Sequence, residues 1–423
     1  LQLVGIKELR SFKTMDVEAR KRVAYFISPY VGDHHYGPGH PMKPQRVAVT
    51  NSLVYQYGLT KYMDTYMAMP ASDENLKEFH APAYVDFLKQ LNIHNFHHQN
   101  QEIVRSYLDT DCPFFHGLYD YCASYAGASL AAASHLNHGK ADIAINWSGG
   151  LHHAKMSKAS GFCYINDIVL AILELLKYYP RVLYVDIDVH HGDGVQEAFI
   201  QSDRVLTFSS HQFSEGFFPG TGLPDEIGIG PGKYFAVNIP LKEGATLATF
   251  EQAVKPLLRL AVESFLPSVI VLQCGADSLA CDRLGHFSLG IEDHGVCVSF
   301  VRDFNLPMLV VGGGGYTLKN VARCWAYETS LLVRKDVPNH IPLTCEYREM
   351  FKPKYLLRPE LKKHYENQNH ASYLNLIREV VSCHLRRVAI SPSVALRPLG
   401  QSENVTNVFR LPENYNFNSN NQQ

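Results

Sequence analysis

RVLYVDIDVHHGDG, residues 181–194, starts as an apolar run and ends in a cluster of acids and histidines. A nearly continuous run rich in Val and Ile is typical of a strand buried on both faces of a sheet. Amphipathic segments separate it from similar runs: ADIAIN (141–146), RVLTFSS (204–210), FAVNIP (235–240), SVIVLQCG (268–275) and MLVVGGGG (308–315). This alternation predicts a single α/β domain in which helices sandwich a mostly parallel β-sheet.

Composition and chain ends limit the function classes. The chain has 423 residues, of which 46% are hydrophobic, and its net charge is −2. This balance does not support direct sequence-specific DNA binding, which usually needs a strongly basic domain, and the apolar runs are too short to span a membrane. We interpret residues 1–22 as a flexible N-terminal extension, 23–398 as the folded domain and 399–423 as a disordered polar tail.

Four of the apolar runs lead directly into polar or glycine-rich segments. These segments are WSGGLHHA (147–154), DIDVHHGDG (186–194), CGADSL (274–279) and GGGGYT (312–317). The carboxyl ends of parallel strands share one edge of the sheet, where α/β proteins bind their ligands. We therefore expect the four segments to converge on one site.

The first candidate at that site is a metal-binding group. Asp186, Asp188 and His190 are spaced by two residues, so their side chains point to one side of an extended segment. One of these aspartates and His190, with Asp277 from another strand end, could supply the three protein ligands of a catalytic zinc. A solvated turn is the alternative interpretation. However, three acids within residues 186–193 need a cation or strong hydrogen bonds to offset their repulsion.

His152, His153 and Tyr316 are the other candidates for chemistry at these strand ends. Adjacent histidines can act as a general base and its neighbour when carboxylates such as Asp186 and Asp193 fix their tautomers. A tyrosine that follows four glycines can donate a hydrogen bond to a developing oxyanion. Each residue also has a structural alternative: the histidines could simply be hydrogen-bonded in a loop, and the tyrosine could pack its ring.

Eight motifs occur in one order along the chain: HYGPGHPMKPQR, INWSGGLHHA, ASGFCYINDI, VDIDVHHGDGVQEAF, FFPGTG, CGADSL, DRLGHFSL and GGGGYT. Together they resemble the class I histone deacetylases, from about residue 23 to about residue 398. CDRLG and YETSLLV are most similar to the type found in nuclear-receptor corepressor complexes, whereas GFFPGTG is similar to another class I branch.

The resemblance implies an arginase/deacetylase-like fold and a deacetylase domain that hydrolyses N6-acetyl-lysine on histones and other proteins. It implies a Zn2+ cofactor, with iron(II) as the alternative metal, and a structural K+ ion. Acetylated histone tails and corepressor complex subunits are the expected partners, in transcriptional repression and chromatin regulation. We expect the protein in the nucleus and also in the cytoplasm, without attachment to a membrane.

The resemblance also implies roles for individual residues. The zinc ligands would be Asp188, His190 and Asp277. The catalytic groups would be His153 as general base held by Asp193, His152 held by Asp186, and Tyr316. The lysine tunnel and its rim would comprise Asp111, Gly161, Phe162, Phe218 and Leu284, and Arg46 would border an acetate pocket. The potassium ion would lie near Asp186, Asp188, His190 and Ser209.

Two regions depart from the usual pattern of the family. Met156 and Lys158 stand where the family usually has a lysine and an acid, which we expect to alter fine tuning and not the chemistry. Corepressor-associated members bind an inositol phosphate, and the corresponding positions here are His35, Gly39, Lys43, Arg283 and Lys319. The last of these is usually arginine. Because lysine cannot give phosphate a bidentate fork, we predict weaker coupling to inositol phosphate.

Three other functions fit parts of the sequence. An acetylpolyamine deacetylase would share the fold, although HYGPGHPMKPQR resembles the protein-directed branch. A non-catalytic corepressor scaffold would keep the fold and lose the chemistry, although every expected catalytic position is filled. An arginase-like hydrolase would need two manganese ions, whereas the sequence indicates one convincing set of metal ligands.

Overall fold

The apolar runs of the sequence form one sheet of eight strands within the described residues, and all its strand pairs are parallel. A computed structural model of the chain describes residues 21–92, 94, 96, 100–362 and 365–388. The strands are β1 (Val23–Ile27), β2 (Asp64–Met67), β3 (Ile143–Asn146), β4 (Val182–Asp186), β5 (Val205–Gln212), β6 (Ala236–Leu241), β7 (Val269–Gln273) and β8 (Met308–Val311). Their order across the sheet is β2-β1-β3-β8-β7-β4-β5-β6.

Side chains of the central strands alternate between two apolar layers. Ile143 and Ile145 of β3 belong to one layer, whereas Ala144 between them belongs to the other. Strand β4 divides in the same way, and all five of its residues are buried. Burial on both faces explains why the sequence of these strands is nearly continuous in apolar residues. The predicted α/β architecture is therefore confirmed.

Helices cover both faces of the sheet. They are α1 (Gln45–Gln56), α2 (Asp73–Lys77), α3 (Pro82–Gln90), α4 (Gln101–Tyr107), α5 (Leu118–Asn137), α6 (Asp167–Leu175), α7 (Asp193–Phe199), α8 (Leu247–Thr249), α9 (Lys255–Phe265), α10 (Ile291–Arg302), α11 (Leu318–Leu332) and α12 (Ala371–Leu385). Helices α6 and α7 pack on one face, and α1, α9, α10, α11 and α12 contribute to the layer on the other. No described helix combines the length and apolar character that crossing a bilayer requires.

The predicted boundaries fall partly beyond this part of the chain. Strand β1 begins at Val23, where the folded domain was expected to begin. The last described helix, α12, ends at Leu385. The expected N-terminal extension, except residues 21 and 22, and the expected polar tail 399–423 lie outside the described residues.

Candidate active site

Four neighbouring strands, β3, β8, β7 and β4, end side by side at one edge of the sheet. The loops that follow them contain the four polar or glycine-rich segments of the sequence. Strands β3 and β4 are distant in sequence, yet only β8 and β7 separate them in space. The convergence of the four segments is therefore a consequence of strand order.

Asp188, His190 and Asp277 form a buried group, the Asp188 group, whose ligand atoms all lie within 4.8 Å of one another. Nδ1 of His190 is 3.2 Å from Oδ1 of Asp188 and 3.2 Å from Oδ2 of Asp277. Ligand atoms around a tetrahedral zinc with bonds of ~2.0 Å are about 3.3 Å apart. Two carboxylates and one imidazole at this spacing fit Zn2+.

The charges within the Asp188 group also favour a bound cation. Burial alone would lower the pKa of His190, but hydrogen bonds and charges from Asp188 and Asp277 raise it to about 10. Burial and the charge of Asp188 raise the pKa of Asp277. Two buried carboxylates thus share one imidazole, and a cation would offset their mutual repulsion.

The backbone lies so close to these carboxylates that two positions require glycine. A Cβ on Gly275 would lie 1.9 Å from Oδ2 of Asp188, and a Cβ on Gly314 would lie 1.9 Å from Oδ2 of Asp277. The close approach lets the backbone N–H of Gly314 donate a 2.8 Å hydrogen bond to Asp188 Oδ2. Val189 N–H donates to Asp277 Oδ1 at 3.0 Å. Backbone donors therefore fix the orientation of both carboxylates.

Each of the two adjacent histidines pairs with its own carboxylate. Nδ1 of His152 is 2.7 Å from Oδ2 of Asp186, and Nδ1 of His153 is 2.7 Å from Oδ1 of Asp193. Because an ionised carboxylate only accepts hydrogen bonds, both Nδ1 atoms donate and the Nε2 atoms remain for other partners. Lys155 Nζ lies 2.7 Å from the second oxygen of Asp193 and gives that carboxylate a positive neighbour.

The two histidines differ in protonation despite their similar pairing. Burial alone would lower the pKa of His152, but the charges of Asp186 and Asp188 raise it to about 9. Burial and the charge of His152 lower the pKa of His153 to about 3, and Asp193 offsets only part of this. These shifts favour a protonated His152 and a neutral His153 that can accept a proton.

The histidine loop is held by the start of α6. Oδ1 of Asp167 accepts hydrogen bonds from the backbone of Gly150 (3.1 Å) and Leu151 (2.9 Å), and its Oδ2 accepts one from Ser129 Oγ (2.6 Å). Sequence reasoning missed Asp167 as a positioning residue. The Asn-Asp pair at the start of an apolar helix was the available signal, because such residues satisfy free backbone N–H groups at helix starts.

A pocket of about 150 Å³ opens beside these groups. Edge-to-face ring contacts form its walls: His153 with Phe218 at 4.9 Å and Phe162 with Tyr316 at 5.6 Å between ring centroids. Its lining residues are Asp111, His153, Gly161, Phe162, His190, Phe218, Leu284 and Tyr316. Every residue expected in the lysine tunnel thus lines one pocket. His153 and His190 line the same pocket.

Arg46 of α1 lies behind the glycine-rich loop. Its guanidinium donates hydrogen bonds to the carbonyls of Gly315 (2.8 Å) and Gly313, and lies 5.0 Å from the ring centroid of Trp325. Nε of Arg46 is buried and has no hydrogen-bond partner among the described residues. A buried guanidinium with a free N–H fits a small carboxylate such as acetate.

Comparison with known proteins agrees with this geometry. The histone deacetylase domain matches residues 40–332. The chain belongs to the histone deacetylase family. It is similar to histone deacetylase B of Dictyostelium discoideum, with 52% identity over 382 residues, which is 90% of each chain. It is also similar to histone deacetylase 19 of Arabidopsis thaliana, with 49% identity over 89% of this chain and 74% of the relative. Histone deacetylase HDAC1 of Drosophila melanogaster is 48% identical over 91% of this chain and 73% of its own.

Membership of this family confirms the predicted activity. The chain is a class I histone deacetylase, a lysine deacetylase of the hydrolase class that acts in chromatin regulation. Neither the acetylpolyamine alternative nor the non-catalytic scaffold is favoured by these relatives. The family depends on zinc, and the Asp188 group is a buried set that could bind the metal.

The residues expected around potassium lie at the end of β4 and on β5 of the deacetylase. Asp186 and Ser209 are partners in the register of these strands. The carboxylate of Asp186 is fully engaged, because it accepts hydrogen bonds from Tyr184, His152 and the backbone of Asp188. Ser209 Oγ is 2.9 Å from Nδ1 of His211.

The residues expected at the inositol phosphate site occupy two parts of the surface. His35 and Gly39 are exposed and Lys43 is half-buried on the segment that leads into α1. Arg283 is exposed next to Leu284, and Lys319 is exposed three residues after Tyr316. Lys158, which departs from the family pattern, pairs with Asp109 at 3.1 Å. Met156, the other departure, is 53% exposed, and its backbone carbonyl is 3.2 Å from Nδ1 of His80.

Two further positioning residues were not identified from sequence. Gln273, the last residue of β7, donates to Oδ2 of Asp188 (2.9 Å) and accepts from the backbone of Gly275 (2.8 Å). Asp282 accepts hydrogen bonds from four backbone N–H groups on two segments of the pocket wall, those of Leu284, Gly285, Tyr316 and Thr317. A polar residue at the end of an apolar strand was the signal for Gln273. Nothing in the sequence singled out Asp282.

Proposed function

We propose that residues 23–398 form the catalytic domain of a zinc-dependent protein deacetylase that acts on acetyl-lysine in histone tails and other proteins. The zinc ligands are Asp188, His190 and Asp277. The observation that carries this proposal is the single pocket in which His153, His190 and Tyr316 meet two aromatic walls. Zinc bound in the Asp188 group would polarise the acetyl carbonyl and lower the pKa of water.

His153 serves as the general base. Its Nδ1 is held by Asp193, so Nε2 is the nitrogen that takes a proton from the attacking water. Its low pKa keeps the imidazole neutral before the reaction. The same nitrogen then returns the proton to the departing lysine nitrogen. His152, positively charged and held by Asp186, stabilises negative charge that develops beside it.

Tyr316 stabilises the oxyanion. Burial and the charges of Asp277 and Asp188 raise the pKa of its hydroxyl well above the usual value, so it stays protonated and can donate a hydrogen bond. The backbone N–H of Tyr316 donates to Asp282 at 2.8 Å, which fixes the loop that carries the ring. Such a preorganised donor is most effective in a buried, water-poor pocket.

The pocket selects the acetylated form of lysine. Phe162, Phe218 and Leu284 offer an apolar channel for the methylene chain, and acetylation has removed the charge that such a channel would reject. Asp111 lines the same pocket, where its carboxylate can accept a hydrogen bond from the substrate backbone at the rim. Arg46, with its free Nε–H, binds the acetate product.

Regulation and location complete the proposal. A potassium ion binds near Asp186, Asp188, His190 and Ser209 and supports the end of β4. Inositol phosphate joins the enzyme to a corepressor subunit through His35, Gly39, Lys43, Arg283 and Lys319, and couples weakly because Lys319 replaces an arginine. The enzyme acts in the nucleus, and also in the cytoplasm, within a corepressor complex.

The purified full chain should hydrolyse an acetylated histone-tail peptide faster than an acetylated polyamine, and should contain one zinc ion per chain. Metal analysis distinguishes zinc from iron(II). If the chain hydrolyses neither substrate, a corepressor fragment and an inositol phosphate should restore peptide hydrolysis. A chain that binds no metal, or that prefers the polyamine, would contradict the proposal.

A further inference from the structure

Side chains from two helices form hydrogen bonds with the backbone of the segment that carries Asp277. Trp325 of α11 donates from Nε1 to the carbonyl of Cys274 at 2.8 Å. Nε2 of His294, from α10, is 3.0 Å from the carbonyl of Gly275. These two carbonyls immediately precede the turn that contains Asp277. The position of this proposed zinc ligand therefore depends on side chains outside the pocket.

His294 is itself held by a second fully buried residue. Its Nδ1 forms a short hydrogen bond with Oε1 of Glu328 on α11, and both side chains are completely inaccessible. The carbonyl of Gly275 can only accept, so Nε2 of His294 carries a hydrogen. A further proton must lie between Nδ1 and the carboxylate of Glu328. The pair as a whole is therefore neutral and has the geometry of an imidazolium bound to a carboxylate.

Stability alone does not explain such a pair. Buried ion pairs are often no more stabilising than apolar residues of similar volume, because desolvation offsets their attraction. Glu328 also leaves its Oε2 without a hydrogen-bond partner among the described residues, which adds to this cost. What the pair provides, and apolar side chains cannot, is a rigid donor directed at the carbonyl of Gly275.

We propose that His294 and Glu328 are positioning residues for the zinc site, which hold the Asp277 segment at the distance that zinc binding needs. Gly275 transmits the effect, because it packs directly against the Asp188 carboxylate. The inference rests on the proposed zinc ligands. Both residues would then contribute to metal affinity from outside the pocket. Mutation of residues that hold metal ligands typically lowers metal affinity about 10–100-fold.

Cys324 completes a buried group with His294 and Glu328 whose ligand atoms also lie within 4.8 Å of one another. Its chemistry favours a hydrogen-bonded group over a second metal site. Burial and the charge of Glu328 raise the pKa of the Cys324 thiol well above its usual value, and Sγ donates to Oε1 of Glu328 at 3.4 Å. The proton of His294 already neutralises the single carboxylate, so no cation is needed.

The test measures zinc affinity and folding separately. In the double variant His294→Leu with Glu328→Leu, we expect the dissociation constant for zinc, from competition with a chelator, to rise about tenfold or more. The thermal midpoint of the zinc-free chain should change little. Cys324→Ala is the matched control, because it alters the same group without touching Gly275, and its zinc affinity should be unchanged.

If the double variant does not fold, His294→Gln and His294→Asn replace it. Both introduce a buried amide, but only Gln is long enough to donate to the Gly275 carbonyl, so Asn should weaken zinc binding and Gln should not. Equal zinc affinity in the wild type and a folded double variant, or in Gln and Asn, would overturn the inference. So would two zinc ions per wild-type chain with one lost in Cys324→Ala. Wild type that binds no zinc would instead remove the proposed zinc site itself.

Discussion

Two buried clusters in this deacetylase have similar composition and different chemistry. The Asp188 group contains two carboxylates and one imidazole, and His190 within it lines the pocket. The second group contains one carboxylate, one imidazole and a thiol, and His294 and Glu328 within it are completely inaccessible. Residue types alone would make both of them metal sites.

The two groups differ in net charge and in accessibility: only the Asp188 group has more carboxylates than imidazoles and lies beside a pocket. In the second group one proton on His294 balances Glu328, and every atom of the imidazole that can form a hydrogen bond is engaged. In the Asp188 group one imidazole cannot balance two carboxylates, and an entrance exists for a metal and a substrate. A cation would balance the charge of the Asp188 group, whereas a proton suffices in the second group.

The largest expected effect comes from removing one carboxylate of the Asp188 group. Asp277→Ala should lose zinc and reduce deacetylation by more than about 100-fold. Loss of a residue that only holds a metal ligand costs up to about 100-fold, and loss of the ligand itself should cost more. Metal analysis and peptide hydrolysis measure the two effects. Asp225→Ala, an exposed loop acid, is the control and should match wild type. Retention of zinc in Asp277→Ala would mean that the cluster does not bind the metal.

The next effect separates metal binding from chemistry within the same pocket. Tyr316→Phe removes only the hydroxyl that donates to the oxyanion, so kcat should fall about 100–1,000-fold. Zinc content and KM should change little. The exposed Tyr178 offers a control substitution to Phe. A fall in zinc content that matches the fall in rate would assign Tyr316 a structural role.

Most of the fold followed from the sequence because burial on both faces leaves a clear signal. The apolar runs at 141–146, 181–189, 204–210, 235–240, 268–275 and 308–315 each coincide with most or all of a strand of the sheet. The order of the strands was not available from these runs. It depends on which crossover connects which pair, and no residue in the runs themselves encodes that choice.

The site divides in the same manner. Residues that face the pocket, such as His190 and Tyr316, lie at strand ends with distinctive motifs, so the sequence indicated them. The residues that hold them, such as Asp167, Asp282 and His294, each bind a backbone group on another segment of the chain. Their partners are defined only once the chain is folded, so a sequence can mark such a residue, as the Asn-Asp pair marks Asp167, but it cannot mark the contact.

His80 is a buried histidine without a carboxylate partner, and it tests what the acids do for His152 and His153. Nδ1 of His80 donates to the Met156 carbonyl (3.2 Å), and Nε2 accepts from the backbone of Asn166 (2.9 Å). Burial lowers the pKa of His80 to about 4. The unfolded chain therefore binds more protons below about pH 6.5, so the contribution of His80 to stability should fall as pH drops from 6.5 to 4, by about 3 kcal/mol in all.

Urea unfolding of the zinc-loaded wild type and His80→Gln at pH 7 and pH 4.5 measures this contribution. Gln does not titrate, and its amide oxygen can still accept from Asn166. The variant should therefore be less stable at pH 7 but lose less stability on acidification. Equal losses in the two proteins would show that His80 does not respond to acid in this range.

The smallest predicted effect concerns the pocket wall that carries Leu284 and Tyr316. Oδ1 of Asp282 accepts from the backbone of Leu284 (2.9 Å), and its Oδ2 accepts from that of Tyr316 (2.8 Å). Asp282→Asn keeps the size but turns one acceptor into an NH2 group that faces a backbone N–H. Either Leu284 at the tunnel rim or Tyr316, the oxyanion donor, must then shift. We expect kcat/KM to fall about tenfold, which is within the range for residues that hold active-site groups in place.

Zinc content separates the possible causes, because Asp282 contacts the pocket wall and none of the proposed metal ligands through a hydrogen bond. Zinc should therefore be retained in Asp282→Asn, and Asp303→Asn, an acid exposed at the end of α10, should match wild type. A shift in kcat alone would place the strain at Tyr316, whereas a shift in KM alone would place it at Leu284. Loss of zinc would mean instead that the pocket wall and the Asp188 group form one cooperative unit. Asp282 would then support metal binding as well as the pocket wall.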